Sequence, residues 1–306
     1  FVIIVIDYCR TWVRLERLVK FLLLMGAAAA VIAIGLWLLP DATANSALTA
    51  LGRVGYPGGW VIRYIEENPE LSERAIGTSV DPNSLGGLLL MIGALVGPQV
   101  VTRKPIFRRW IIWGIAGLVF LALVLTFSRG AMLGLAAGLG FVALARYRRL
   151  IPYMLVAALL LLFLPVTQAY IARFLEGFQG DDLATQMRFG EYKDSLRLIA
   201  RYPLFGVGFA GSPDIDLYTA VASVYFTIAG RMGLFGLSAF FGVIGSVFVY
   251  AFRNRKAARI DERRDAVWLG LHAALIGALV AGVFDHYLFN MDFHHAVTIF
   301  WMMLGM

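Results

Sequence analysis

Residues 84–146 decide the fold. They read SLGGLLLMIGALVGPQVV over 84–101, TRKPIFRR over 102–109, WIIWGIAGLVFLALVLTF over 110–127 and SRGAMLGLAAGLGFVALAR over 128–146. Three apolar runs, each close to the roughly 20 residues a helix needs to cross a bilayer, are separated by one short basic connection and one tight turn. Working outward, further apolar runs lie at about 20–39, 149–167, 233–252, 266–284 and 293–306. The opening Phe1-Val-Ile-Ile-Val-Ile6 is too short to span and reads as the end of a longer apolar helix, so an upstream span is expected.

The composition agrees. The 306 residues are 60% hydrophobic and 15% charged, against about 25% charged in soluble domains, and the mean hydropathy is +0.75. The single cysteine, Cys9, excludes a disulfide framework and a Cys-rich zinc or iron–sulfur site. The net charge of +7 is not a nucleic-acid footprint, because the cations sit in short connections between apolar runs. No nucleic-acid partner is expected, and membrane lipid is.

Those cations also orient the chain. Arg10, Arg14, Arg17 and Lys20 precede the first span, Arg103, Lys104, Arg108 and Arg109 fill 102–109, and Arg146, Arg148 and Arg149 fill the next turn. Arg253, Arg255, Lys256, Arg259, Arg263 and Arg264 occupy 253–265. Lys and Arg accumulate on the cytoplasmic side, so the long acidic loops 40–83 and 168–232 face outward. This bookkeeping requires 217–230 to lie on or dip into the outer face, with a true span beginning at Gly233. Within the outer loop, Phe189, Tyr192, Leu196 and Ile199 recur at helical spacing among charged residues, which predicts an amphipathic helix over Arg188–Tyr202 stopped by Pro203. The expectation is an all-α, polytopic membrane bundle of about eight or more spans, one domain over 1–306, with 168–232 as an extracytoplasmic lid of short helices.

Several motifs read as structure. Gly206-Val-Gly208-Phe-Ala-Gly211 has dinucleotide-fingerprint spacing but follows a helix outside any βαβ unit, so a tight turn is expected. Gly130, Gly134 and Gly138 repeat every fourth residue, which permits close helix approach. Asp181-Asp182 reads as a solvated loop, and the adjacent His294-His295 do not share a helical face as zinc ligands would. No metal site is expected.

Others carry chemistry. Arg129, in the Ser128-Arg-Gly130 turn at the outer boundary, either snorkels or grips a phosphate with its planar fork. Asp81-Pro-Asn83 is helix-entry chemistry, which leaves Arg74 before it unexplained. Asp285-His286 pairs a carboxylate with an imidazole at the outer boundary, where either helix-end hydrogen bonding or general-base work is available.

Taken in order, Arg74-Ala-Ile-Gly-Thr-Ser-Val-Asp-Pro-Asn83, Thr126-Phe-Ser-Arg-Gly-Ala131, Arg188-Phe-Gly-Glu-Tyr-Lys-Asp-Ser-Leu, Tyr202-Pro-Leu-Phe-Gly-Val-Gly208, Gly233-Leu-Phe-Gly236 and Asp285-His-Tyr287 form a series. From about residue 74 to 306 the chain resembles the O-antigen ligase and O-antigen polymerase family of bacterial envelope glycan enzymes. The resemblance implies transfer of a glycan from a lipid-linked oligosaccharide, an undecaprenyl diphosphate, at the outer face of the bacterial inner membrane, with neither metal nor other cofactor. It assigns Arg129 and Arg188 to the diphosphate, and Arg74, Asp81, Asn83, Ser128 and Glu191 are the candidates for binding the rest of the substrate beside them. One departure stands out. The family's usual His-Asn pair falls on Ala222 and Ser223, and its Glu on Arg231. Either Asp285, His286 or Glu191 supplies the base instead, or the chain is a non-catalytic relative that binds lipid or assembles with other membrane proteins. The catalytic alternative requires the three arginines to share one outer hollow.

Overall fold

The structure, a computed structural model, describes residues 1–162, 183–209, 221–290 and 293–306. Along the chain come α1 (Val2–Tyr8), α2 (Trp12–Trp37), α3 (Asp41–Thr49), α4 (Pro82–Val101), α5 (Arg109–Leu125), α6 (Arg129–Ala145), α7 (Ile151–Leu162), α8 (Leu183–Arg201), α9 (Val224–Arg253), α10 (Arg255–Ala258), α11 (Glu262–Ala281) and α12 (His294–Leu304). The one sheet among the described residues is a hairpin of β1 (Arg63–Tyr64) and β2 (Glu73–Arg74), antiparallel, with Arg63 opposite Arg74. The fold is otherwise helical, as the apolar periodicity predicts.

By length and apolar composition α2, α4, α9 and α11 can each cross a membrane. α5 and α6 are apolar but shorter, at 17 residues each. Four full-length spans therefore stand among the described residues where about eight are expected from the runs; the run at 149–167 is described only as far as Leu162.

α4 is the axis. Its 20 residues make a rod of about 30 Å, matched to hydrocarbon thickness, and 83% of its apolar window is buried against α2, α5, α6, α11 and α12. A helix apolar all round belongs at the centre of a bundle. α9 is its opposite: it turns Phe235, Phe241, Val249 and Phe252 outward, 49–69% exposed, as a lipid-facing helix does.

The small-residue repeat on α6 finds its partner in α11. A Cβ on Gly134 would lie 2.5 Å from the Gly277 carbonyl oxygen, and one on Gly138 2.5 Å from that of Ala273. Only hydrogen at those positions lets the backbones meet, which is how helices associate where lipid removes the hydrophobic drive.

Local chemistry sets the ends. Asp81 caps α4, its Oδ1 accepting from the Ser84 N–H at 2.9 Å, with Pro82 at the first helical position. Ser128 caps α6 by accepting from the Ala131 N–H. α8 stops at Arg201, two residues short of Pro203. Inside α9, Gly233 adopts φ 67° and ψ −173°, breaking the segment that begins at Val224 from the long helix that follows. The expected start of a span at Gly233 is this break; residues 217–220 of the preceding run lie outside the described residues.

The basic segments gather at one end. Arg263 reaches Glu16 at 3.4 Å, Lys104 reaches Asp261 at 3.9 Å, Arg146 reaches Asp265 at 3.2 Å, and Arg264 lies over the Trp12 ring. α4 and α5 run from that end to the other, where the hairpin, α8 and the 282–290 turn meet.

Candidate functional site

At the end opposite the basic segments, a cavity of about 240 Å³ opens between the hairpin, the start of α4, the α5–α6 turn, α8 and the end of α11. Arg74, Asn83, Ser128, Arg129, Arg188 and Asp285 all line it. Three guanidinium groups from three distant stretches thus face one hollow, each half-buried.

Arg74 reaches it because β2 is tied to the end of α5. The Ala75 N–H donates to the Leu125 carbonyl at 2.8 Å, Arg74 Nε donates to the Thr126 carbonyl at 2.9 Å, and Nη2 donates to Asn83 Oδ1 at 2.8 Å. A helix C-terminus leaves carbonyls without intrahelical partners and carries partial negative charge, so the arginine left unexplained by entry-turn chemistry is a cap on α5. Its fork is fixed on both sides before any ligand arrives.

Arg129 is the first residue of α6, placed by a tight turn in which Phe127 takes φ 52°. The turn is braced by Thr126, whose Oγ1 donates to the Leu123 carbonyl at 2.7 Å and accepts from the Ser128 N–H at 3.2 Å. The positive end of the α6 dipole is therefore presented at the cavity together with the Arg129 side chain. Arg188 comes from α8, on the turn before Glu191 and Tyr192.

Those two residues moor α8. Glu191 Oε2 accepts from the Ala222 N–H at 2.9 Å, and the Tyr192 hydroxyl shares its one proton between the carbonyls of Ala222 and Val283, each at 3.2 Å. Glu191 does not line the cavity; its carboxylate is engaged in holding the chain ahead of α9. Ser223 is buried, its hydroxyl 3.4 Å from the Gly282 carbonyl. Arg231 stacks over the Phe209 ring.

Asp285 does line the cavity, and its Oδ1 accepts from the His286 N–H at 2.7 Å. His286 itself does not. Its Nδ1 stands 3.5 Å from Asp285 Oδ1, near enough to feel the charge but too far for a good hydrogen bond. Asp81 lies behind the wall, capping α4. Burial pushes its carboxyl above the usual range, as does the charge of Asp285, while the Ser84 N–H and Arg74 pull the other way. His295 shares a 2.7 Å hydrogen bond with buried Ser84 at the same helix entrance. Asp292 and Asp181-Asp182 lie outside the described residues.

The hairpin supplies wall residues that motif reading missed, Tyr64, Glu66 and Glu67 among them. Tyr64 donates its hydroxyl to Asp41, and its phenol is pushed up to about 12 chiefly by that bond. Glu67 pairs with Arg63 at 3.4 Å. Tyr287 also lines the hollow and is 2% exposed; its ring fills the space that a side chain on Gly87 would need. Part of this was detectable, since Tyr287 stands inside the Asp285-His-Tyr motif. Nothing in the sequence marks a positive φ at Phe127 or at Glu66 and Glu67.

Of the fingerprint-like glycines, Gly206 and Gly208 make a turn, as their context predicts, and Gly211 lies outside the described residues. Gly206 and Gly208 have φ 66° and 80°, and the N–H groups of Val207 and Gly208 donate to the carbonyls of Gly230 and Arg231. This turn packs on the Gly233 break, where a Cβ would sit 2.2 Å from the Leu204 carbonyl oxygen.

Compared with known families, residues 114–241 match the one described as O-antigen ligase. The matched stretch contains the Ser128-Arg-Gly130 turn, Arg188 and the Gly233 break. No curated protein matches the chain.

Proposed function

We propose that the chain, whose residues 114–241 match the O-antigen ligase family, transfers or polymerises a glycan carried on undecaprenyl diphosphate at the outer face of the bacterial inner membrane. The observation that carries this is the convergence of Arg74, Arg129 and Arg188 on one cavity that also holds Asp285. The hollow of about 240 Å³ is smaller than the roughly 300–1,000 Å³ of a drug-sized site. It suits a diphosphate and the adjoining sugar, with the polyprenyl tail and the rest of the glycan extending beyond it.

In this reading the arginines and the positive end of α6 bind the diphosphate. Their value grows as the bond from the anomeric carbon to the diphosphate oxygen breaks and negative charge collects on the departing oxygen. The acceptor hydroxyl attacks the anomeric carbon and gives its proton to a carboxylate. Asp285 is the base favoured here, because His286 and Glu191 stand off the cavity and Glu191 is already bonded to Ala222. Polyprenyl diphosphate leaves without metal or nucleotide.

The test is transfer from a lipid-linked donor by reconstituted protein. Arg129→Ala should lower turnover by about 10²–10³, the loss typical of removing one charge-stabilising donor, and Asp285→Asn should do likewise while donor binding persists. Wild-type transfer by Arg129→Ala overturns the assignment.

A non-catalytic relative is the second reading, favoured by Ala222, which stands where the family's histidine is expected and whose backbone is clamped by Glu191 and Tyr192. Donor binding that depends on Arg129 and Arg188, without turnover under any acceptor, supports that alternative.

A further inference from the structure

A second hollow lies at the far end of α4 and α5, away from the arginine cavity and independent of the function proposed for it. It is open, about 710 Å³, and lined by Arg103, Lys104, Arg108, Arg109 and Arg263 around Phe107. Five cations and no carboxylate form its wall.

Protein partners neutralise only part of this charge. Lys104 approaches Asp261 no closer than 3.9 Å, Arg263 is held by Glu16 at 3.4 Å, and Arg109 donates to the Thr102 carbonyl at 3.2 Å. Arg103 and Arg108 meet no carboxylate among the described residues. The N-terminus of α5 opens here as well: Arg108 occupies the cap position with no side-chain acceptor, and the first turn contains no acidic residue. Helix ends of this kind ordinarily have an Asp, Ser or Thr to satisfy their N–H groups. This one instead adds its positive dipole end to the cationic side chains.

The neighbouring surface is aromatic. One residue beyond Arg109, Trp110 is 70% exposed, and Trp113, one turn further along the helix, is 58% exposed. Exposed tryptophans beside a cluster of arginines mark headgroup depth, and basic pockets between helices on the cytoplasmic side suit phosphate-bearing headgroups.

We propose that this hollow binds the headgroup of an anionic phospholipid, its phosphate oxygens gripped by Arg103 and Arg108 at the start of α5 and its acyl chains lying along the Trp110–Trp113 face. A headgroup with two phosphates fits five cations better than one with a single phosphate.

The full chain in neutral detergent, titrated with diphosphatidylglycerol, should gain roughly 5 °C in thermal midpoint at saturation, and phosphatidylcholine should leave it unchanged. R103Q/R108Q breaks no ion pair seen here and should abolish the gain. R253Q/K256Q removes two exposed cations from the same end, outside the hollow, and should keep it. A wild-type protein indifferent to the lipid, or equal loss in both variants, overturns the site. Inorganic phosphate reproducing the full gain overturns the lipid as its source. If R103Q/R108Q fails to accumulate, native mass spectrometry of the wild type decides: retention of diphosphatidylglycerol over phosphatidylcholine supports the site, and equal retention overturns it.

Discussion

Arg74 carries two duties in one side chain, since it closes the end of α5 and forms part of the cavity wall. Lysine keeps the charge at the helix C-terminus but cannot donate to Thr126 and Asn83 in the same plane. Arg74→Lys should therefore melt within a few degrees of wild type while losing about tenfold or more in transfer; an unchanged rate would sink the positioning role. Its neighbour Glu73 makes a pH prediction. Burial first, and the Asp41 charge second, push its carboxyl from 4.5 to about 7. A carboxyl with a raised folded-state pKa binds more protons folded than unfolded, so its stabilisation is full below 4.5 and is lost as pH climbs through about 7. The thermal midpoint should fall across that interval, and Glu73→Gln should flatten the fall; an identical slope in the variant refutes the linkage. At this scale the arginines were legible in advance, because a cation at a membrane boundary needs a reason. The Tyr64–Asp41 bond was not, because it joins a short strand to a helix 23 residues away through backbone turns that leave no compositional trace.

Among the helices, the α6–α11 contact is the one that tolerates least. A side chain at Gly134 meets backbone, which cannot rotate aside, whereas one at Gly140 meets nothing within 4 Å. Gly134→Val should cost about 1–3 kcal/mol by overpacking and Gly140→Ala next to nothing, measured as thermal midpoints in the same detergent. Comparable losses from both would mean that the close approach is not what glycine is there for. The fourfold spacing announced such a contact, but not its partner: α11 contributes Gly277 and Ala273 within an otherwise ordinary apolar run. Likewise Pro203 foretold the stop of α8, and the charge count foretold the break before Gly233. The clamp from Glu191 and Tyr192 onto Ala222 belongs to tertiary packing alone.

For the molecule as a whole, the two ends differ in chemistry, one lined with basic connections and the other holding the arginine cavity. The sidedness proposed from Lys and Arg predicts the outcome of impermeant thiol labelling. In a Cys9→Ser background, Glu70→Cys should react in intact cells and Arg149→Cys only after permeabilisation; the reverse pattern would invert the topology and remove the cavity from the outer face. Apolar runs located the helices well, because hydrocarbon imposes a length on them. Counting crossings from runs was less secure, because α5 and α6, at 17 residues, are apolar without being long. The cavity's walls also come from widely separated parts of the polypeptide: the hairpin near 64–74, the turn at 127–131, α8 at 187–188, and 281–287. The family-matched stretch, 114–241, supplies only the middle two. A nascent chain still emerging from the ribosome therefore owns Arg74, Arg129 and Arg188 before it owns Asp285. Under the function proposed above, synthesis order acts as a safety catch, because a half-inserted chain lacks the base that transfer would need.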